Sequence, residues 1–145
     1  MSKYRLEGLN ECLDNTVYNE IANGYVEVKK SKFYSYIFNV SNLSINDIKN
    51  KIEEIRKDNK KARHLLYAYE INIDNVKHMK FCNDGEPQGT GVNSVISMLE
   101  KEEITDYLVV MVRYYGGILL GSGPLLRTYL SCFKEAFLKC KKYKL

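Results

Sequence analysis

Arg113 and Arg127 stand on either side of a run of glycines, and this is the first place in the chain where residue types and spacing point to chemistry. Between them lie Tyr114, Gly116, Gly117, Gly121, Ser122 and Gly123. Glycines let a backbone turn its N–H groups toward an anion, and a helix that starts behind such a loop adds the positive end of its dipole. Two guanidiniums beside it would clamp a phosphate through paired hydrogen bonds. A structural alternative stands next to that reading: Arg127 would salt-bridge Asp84 or Glu86 and tie two loops together. The loop lacks the lysine and spacing of a nucleoside-triphosphate loop, and the third glycine of a dinucleotide fingerprint is missing.

A second constellation is Asp84, Gly85, Glu86, Gly89 and Thr90, on a stretch punctuated by Pro87. Two carboxylates so close could hold a metal or divide acid and base work. In an ordinary turn, the aspartate instead bonds its own backbone and the glutamate caps a neighbouring helix. His64 precedes an apolar strand pattern. A general base needs a partner such as Ser122, Thr90 or Cys82, yet none sits in a nucleophile-elbow setting. It reads as a hydrogen-bonded or phosphate-facing histidine at a strand end, and no catalytic residue is assigned. Tyr114 and Tyr115, with Lys30, Lys32 and Arg63, combine stacking rings with cations, the recipe for single-stranded RNA. Tyrosines of that kind also serve as half-buried sheet residues with a wet hydroxyl.

The elements that must position these residues follow from periodicity. Leu108 to Val112 is an unbroken apolar run, as in a strand buried on both faces. Ser122 and Gly123 suit a helix N-cap and Pro124 the first helical position. Leu126, Tyr129, Leu130, Phe133, Ala136 and Phe137 then recur at helical spacing. Upstream, Tyr25 to Val28 and Phe33 to Val40 read as strands, the second with Tyr34, Tyr36, Phe38 and Val40 on one face. Ser44 with Asp47 echoes a capping box, and Ile45, Ile48, Ile52 and Ile55 make a helical stripe to about Asp58. Leu65 to Ile73 and Val76 to Cys82 form a hairpin about Asp74-Asn75. Val92, Val95, Ile96 and Leu99 outline a short helix. Strands punctuated by three helices give an α+β class: a two-layer sandwich, mixed or antiparallel in its sheet, with the helices on one face.

The whole chain has 145 residues, net charge +4, twelve tyrosines and no tryptophan. Its length suits one domain, with a core from about Gly24 to Leu138. The mild positive charge permits an acidic partner such as RNA without demanding one. Lys139, Lys141, Lys142 and Lys144 read as a solvated helix end. Cys12, Cys82, Cys132 and Cys140 lack Cys-x-x-Cys spacing, and His64 and His78 are the only histidines, which argues against a zinc site. Cys132 and Cys140 fall in the helical pattern as buried apolar residues. No cofactor and no metal are expected. Neither a signal-like start nor an apolar run of membrane length is present, so no membrane association and a cytoplasmic location are expected.

Four motifs in order (KSKF at Lys30–Phe33, ARHLLYAY at Ala62–Tyr69, FCNDGEPQGTG at Phe81–Gly91 and RYYGGILLGSGPLLRTY at Arg113–Tyr129) resemble the Impact family of YigZ-like proteins. Leu119 replaces the family's usual lysine and Pro124 its usual glycine, and the lost lysine weakens a phosphate grip by this loop. The resemblance implies the fold of the second domain of ribosomal protein S five, also seen in domain IV of elongation factor G. It makes His64 and the Asp84–Thr90 loop family features. It also implies a single Impact-type domain without the second carboxyl-terminal domain of many bacterial members or the extra amino-terminal domain of eukaryotic ones. The expected function is a non-catalytic binding module in translation regulation, where eukaryotic members act under stress. Its partners would be RNA, the ribosome or a translation-regulating protein. The expected binding surface is Lys32, His64, Arg113, Tyr114, Gly116, Gly117, Gly121, Ser122, Gly123 and Arg127. The alternative is an enzyme or small-anion binder built from the two signature loops.

Overall fold

Leu108 to Val112 offer no polar side chain to solvent, so the strand that holds them must be covered on both faces. A computed structural model describes residues 3–9 and 20–145 and puts that strand at the centre of a sheet; Cys12 lies outside the described residues. The described elements are β1 (Tyr4–Gly8), β2 (Glu20–Val28), β3 (Ser31–Asn39), α1 (Ile45–Asp58), β4 (His64–Ile73), β5 (Val76–Cys82), α2 (Asn93–Lys101), β6 (Tyr107–Tyr114), α3 (Ser122–Phe137) and β7 (Cys140–Lys144). The main sheet has the order β2-β3-β6-β4-β5, and every pairing in it is antiparallel. This is an α+β sandwich.

The two-residue period of the strands divides the core. Phe33, Ile37, Leu66, Ala68, Val109 and Met111 face one way and meet Val95, Ile96 and Leu99 of α2 and Leu125, Tyr129 and Phe133 of α3. Phe38, Leu65, Tyr69, Ile71, Leu108, Val110 and Val112 face the other way, around Ile48 and Ile52 of α1. The helices therefore do not share one face, as the sequence reading expected. α2 and α3 lie on one side and α1 on the other, because the central strand is apolar at every position and needs two covers.

Local signals explain the ends of the elements. Ser44 caps α1 in a reciprocal box with Asp47: the Asp47 N–H donates to Ser44 Oγ, and the Ser44 N–H donates to Asp47 Oδ2. These bonds hold the Asp47 carboxyl below its ordinary range. α3 starts two residues before Pro124, with Gly121 as N-cap and no side-chain cap, so Pro124 sits third in the helix rather than first. The basic tail is not a helix end. Lys141 and Lys142 belong to β7, which pairs with β1 in a separate two-stranded sheet, and they meet Glu7 at 3.4 Å and Glu102 at 2.8 Å. Cys140 likewise opens that strand rather than lying in the helix.

Candidate functional site

The turn Asn83–Glu86 closes with the Glu86 N–H donating to the Asn83 carbonyl at 3.0 Å. Its central residues, Asp84 and Gly85, have φ of 50° and 78°, the left-handed pair that a tight primed turn requires and that Asp-Gly supplies at little strain. The Asp84 carboxylate accepts the Leu65 N–H at 2.9 Å, and the Asp84 carbonyl accepts from His64 Nδ1 at 2.7 Å. A carbonyl oxygen can only accept, so Nδ1 carries a proton. The turn is thus fastened to the start of β4.

Glu86 points inward from this turn. Its side chain is 2% exposed and takes both bonds from Arg113 Nη1, each 2.9 Å. Tyr129 of α3 donates its hydroxyl to Glu86 Oε2, and His64 Nε2 stands 3.2 Å from Oε1. Burial, then the bond to Glu86, pushes the Tyr129 phenol far above its ordinary range and keeps it a donor. Arg113 lies opposite both Phe33 and His64 in the sheet, with its guanidinium 5.8 Å from the Phe33 ring centre. Four residues from β4, β6, α3 and the acidic loop therefore meet in one cluster around Glu86, in which Arg113 Nε alone of the guanidinium and carboxylate atoms is buried without a hydrogen-bond partner.

The two signature loops meet through this cluster, and the arginine that joins them is Arg113, not Arg127. Arg113 continues the face of Val109 and Met111, which looks toward α3 and the acidic loop. Arg127 is exposed, and its guanidinium lies close to Gly123. Because Arg113 is bound to Glu86, no clamp of two free guanidiniums is preformed around the glycine loop. Thr90 is buried and bonds back to the Pro87 carbonyl through both N–H and hydroxyl. Gly85 and Gly89 lie in open space, as does Gly117 at φ 93°. Gly121 and Ser122 are exposed at the start of α3.

Gly116 has a separate role. A Cβ there would lie 2.1 Å from the carbonyl carbon of Lys30, and its N–H donates to Ser31 Oγ at 3.1 Å. The glycine loop is therefore seated on the Lys29-Lys30 turn that joins β2 to β3. On the α1 side of the sheet, that turn overlooks a groove of about 400 Å³ lined by Lys30, Lys32, Tyr34, Tyr36, Tyr114 and Tyr115, with Asn59 at the end of α1. Tyr114 donates to Asn59 Oδ1, and Arg63 lies 5.0 Å over the Tyr115 ring. Lys32 and Tyr114 are thus brought together, but on the face opposite to His64 and Arg113. Sequence reasoning missed Tyr34, Tyr36 and Asn59 as members of this groove. The alternation Lys32, Tyr34, Tyr36 was the available signal. It also missed Tyr129 as a polar member of the buried cluster, since at helical spacing it reads as core.

Among the described residues no three His, Cys, Asp or Glu side chains gather in a way that would hold a metal ion, and no helix is long and apolar enough to cross a membrane. The fold and the loop-locking cluster define a class: an α+β domain whose glycine-rich and acidic loops are fastened by one buried carboxylate. The model of the Impact N-terminal domain matches residues 29–137, and the chain belongs to this family. It is 36% identical over 112 residues to an IMPACT family member of Haemophilus influenzae, covering 76% of this chain and 53% of that one. It is 34% identical over 104 residues to the family member YigZ of Escherichia coli, covering 71% and 50%. The chain thus spans about half the length of these curated relatives. A crystal structure of a hypothetical protein superposes with a TM-score of 0.73 at 27% identity, over 100% of this chain and 65% of that one. The two-domain translational regulator Yih1 matches with a TM-score of 0.55 at 16% identity, over 92% and 54%, and this shows the fold alone.

Proposed function

We propose that this chain is a non-catalytic binding module that acts in the regulation of translation, through RNA, the ribosome or a translation-regulating protein. One observation carries the binding reading. Glu86 of the acidic loop and Arg113 at the start of the glycine-rich stretch are turned inward on one another, and Tyr129 bonds the same carboxylate. A general base or a phosphate clamp needs a group aimed at a substrate, and the cluster instead behaves as a latch between loops. The translational context rests on family membership and on the relative Yih1, described as a translational regulator.

The test is sedimentation of the purified chain with ribosomes from a cell-free translation extract, at low and high salt, beside a reporter translated in the same extract. The chain is expected to travel with ribosomal particles at low salt and to change reporter output with dose. A chain that stays in the supernatant and leaves output unchanged at saturation would remove the reading. Turnover of a phosphate ester or nucleotide that is lost in Glu86→Gln but not by unfolding would favour the alternative, an enzyme or anion binder.

A further inference from the structure

We infer that the groove beneath the Lys29-Lys30 turn is a binding site for single-stranded RNA, with bases stacked on its tyrosines and phosphates held by its lysines. This rests on the translational reading above and gives it a ligand and a place. Tyr25, Tyr34 and Tyr114 form a row across three adjacent strands, with ring centres 4.9 Å and 5.9 Å apart. Tyr25 is 45% exposed and Tyr115 37% exposed, so the row is open at its flank. Aromatic rings set on an open sheet face are how sheet proteins read unstacked bases, because every base has a stacking face. A groove of about 400 Å³ is at the small end of ligand pockets. That size suits a base and its sugar rather than a folded partner.

Cations stand on both sides of the row. Lys30 and Lys32 line one side; on the other, the segment after Asn59 carries exposed Lys60, Lys61 and Arg63, and Arg63 already covers the Tyr115 ring. Acidic groups border the row: Glu27 Oε1 accepts from the Tyr25 hydroxyl at 3.1 Å and lies opposite Lys32, and Glu20, Glu54 and Asp58 line the adjoining cavity beyond Tyr36. Burial raises the Tyr36 and Tyr114 phenols above their ordinary range, so they stay neutral and do not repel phosphate. The turn itself is held against its preference. Lys29 and Lys30 have φ of 47° and 67°, where Asn-Gly would rest with little strain. Gly116 supplies the space for the Lys30 backbone. The glycine loop thus positions the lysine turn rather than gripping phosphate itself. Asn59 is engaged with the Tyr114 hydroxyl and the Ile55 carbonyl, and the Tyr34 and Tyr36 hydroxyls beside that pair can donate and accept as a ribose 2′-hydroxyl needs.

The experiment is fluorescence anisotropy of a labelled mixed-sequence 12-nucleotide RNA, with intrinsic tyrosine fluorescence read in parallel, since no tryptophan masks it. Binding should quench tyrosine emission and fall with salt with a logarithmic slope of about −2, as three phosphate contacts on a single strand would give. Lys30→Glu with Lys32→Glu should weaken binding by about tenfold or more and flatten the slope. Lys49→Glu with Lys101→Glu changes net charge equally on other surfaces and should leave binding within about twofold. Circular dichroism melts confirm that each variant is folded. No binding at low salt, equal loss in both charge-reversal pairs, or equal affinity for duplex RNA would each overturn the site. Competition by AMP alone at micromolar concentration would make it a nucleotide pocket, and equal affinity for the deoxy strand would remove the assignment to RNA. The same variants go through the ribosome sedimentation. Sedimentation kept when RNA binding fails removes the groove and leaves the translational reading. RNA binding kept when sedimentation fails does the reverse.

Discussion

At the scale of single residues, Glu86 decides how the two signature loops are held. It is buried, and its partners Arg113, Tyr129 and His64 come from three different elements. Removing one partner of a buried ion pair leaves the other charge unpaired, which costs about 3–5 kcal/mol. Glu86→Gln should therefore lower stability by an amount in that range in urea unfolding, and Glu86→Gln with Arg113→Met should recover part of it. A loss of less than about 1 kcal/mol would mean the pair does not hold the loops. Protons supply a second residue-scale prediction. Burial pushes the Cys132 thiol up to about 11 and the Cys140 thiol up to about 12, and the Tyr107 phenol rises for the same reason. These groups bind their protons more tightly when folded, so the linked stability is complete below pH 9.0 and is lost as pH rises through 11 and 12. Thermal melts from neutral to strongly alkaline pH should show a falling Tm above pH 9.0, and a flat profile would contradict the buried placement. The residue types of the cluster were legible in the sequence, but the pairing was not. Arg127 was weighed for the salt bridge although Arg113 shares the alternation of Val109 and Met111, and that alternation points it at the acidic loop.

At the scale of elements, the hairpin from β2 to β3 shows a local conflict maintained by its surroundings. Left-handed backbone costs a residue with a side chain roughly 1–2 kcal/mol, and Lys29 and Lys30 both adopt it. Replacing them with Asn and Gly should raise stability by about 1–2 kcal/mol in denaturant unfolding. The same change removes Lys30 from the groove and should weaken RNA binding. If it also destabilised the chain, the turn would not be strained in solution. Gly116→Ala should act through the same contact, since its Cβ has no room beside the Lys30 carbonyl. Elements with signals inside a few residues were readable: the Ser44–Asp47 box, the stripe of α1 and the Asp74-Asn75 hairpin all depend on near neighbours. The sheet of β1 and β7 was not readable. It joins Tyr4–Gly8 to Cys140–Lys144, segments with little apolar alternation whose partners are opposite ends of the described chain.

At the scale of the whole molecule, one sheet supports two cores, and β3, β4 and β6 contribute side chains to both. The placement of α1 opposite α2 and α3 was implicit in the sequence, because an unbroken apolar strand has no face to give to water. Periodicity assigns residues to faces but does not say which face a distant helix will cover, and the one-sided sandwich was the wrong choice between the two. The shared strands carry a consequence for cooperativity. If the cores were independent, loosening one would leave the other intact and unfolding would show two steps. Because Val109 and Val110 are neighbours on one backbone and face different cores, a strand that leaves one core leaves both. Ile52→Ala on the α1 side and Phe133→Ala on the α3 side should each cost about 2–5 kcal/mol, as large-to-small changes in packed cores do. Both should lower one transition that far-ultraviolet circular dichroism and tyrosine fluorescence report at the same midpoint. Two midpoints in either variant would mean that the α1 layer can detach. The groove, which takes Asn59 from the end of that layer, would then open with it.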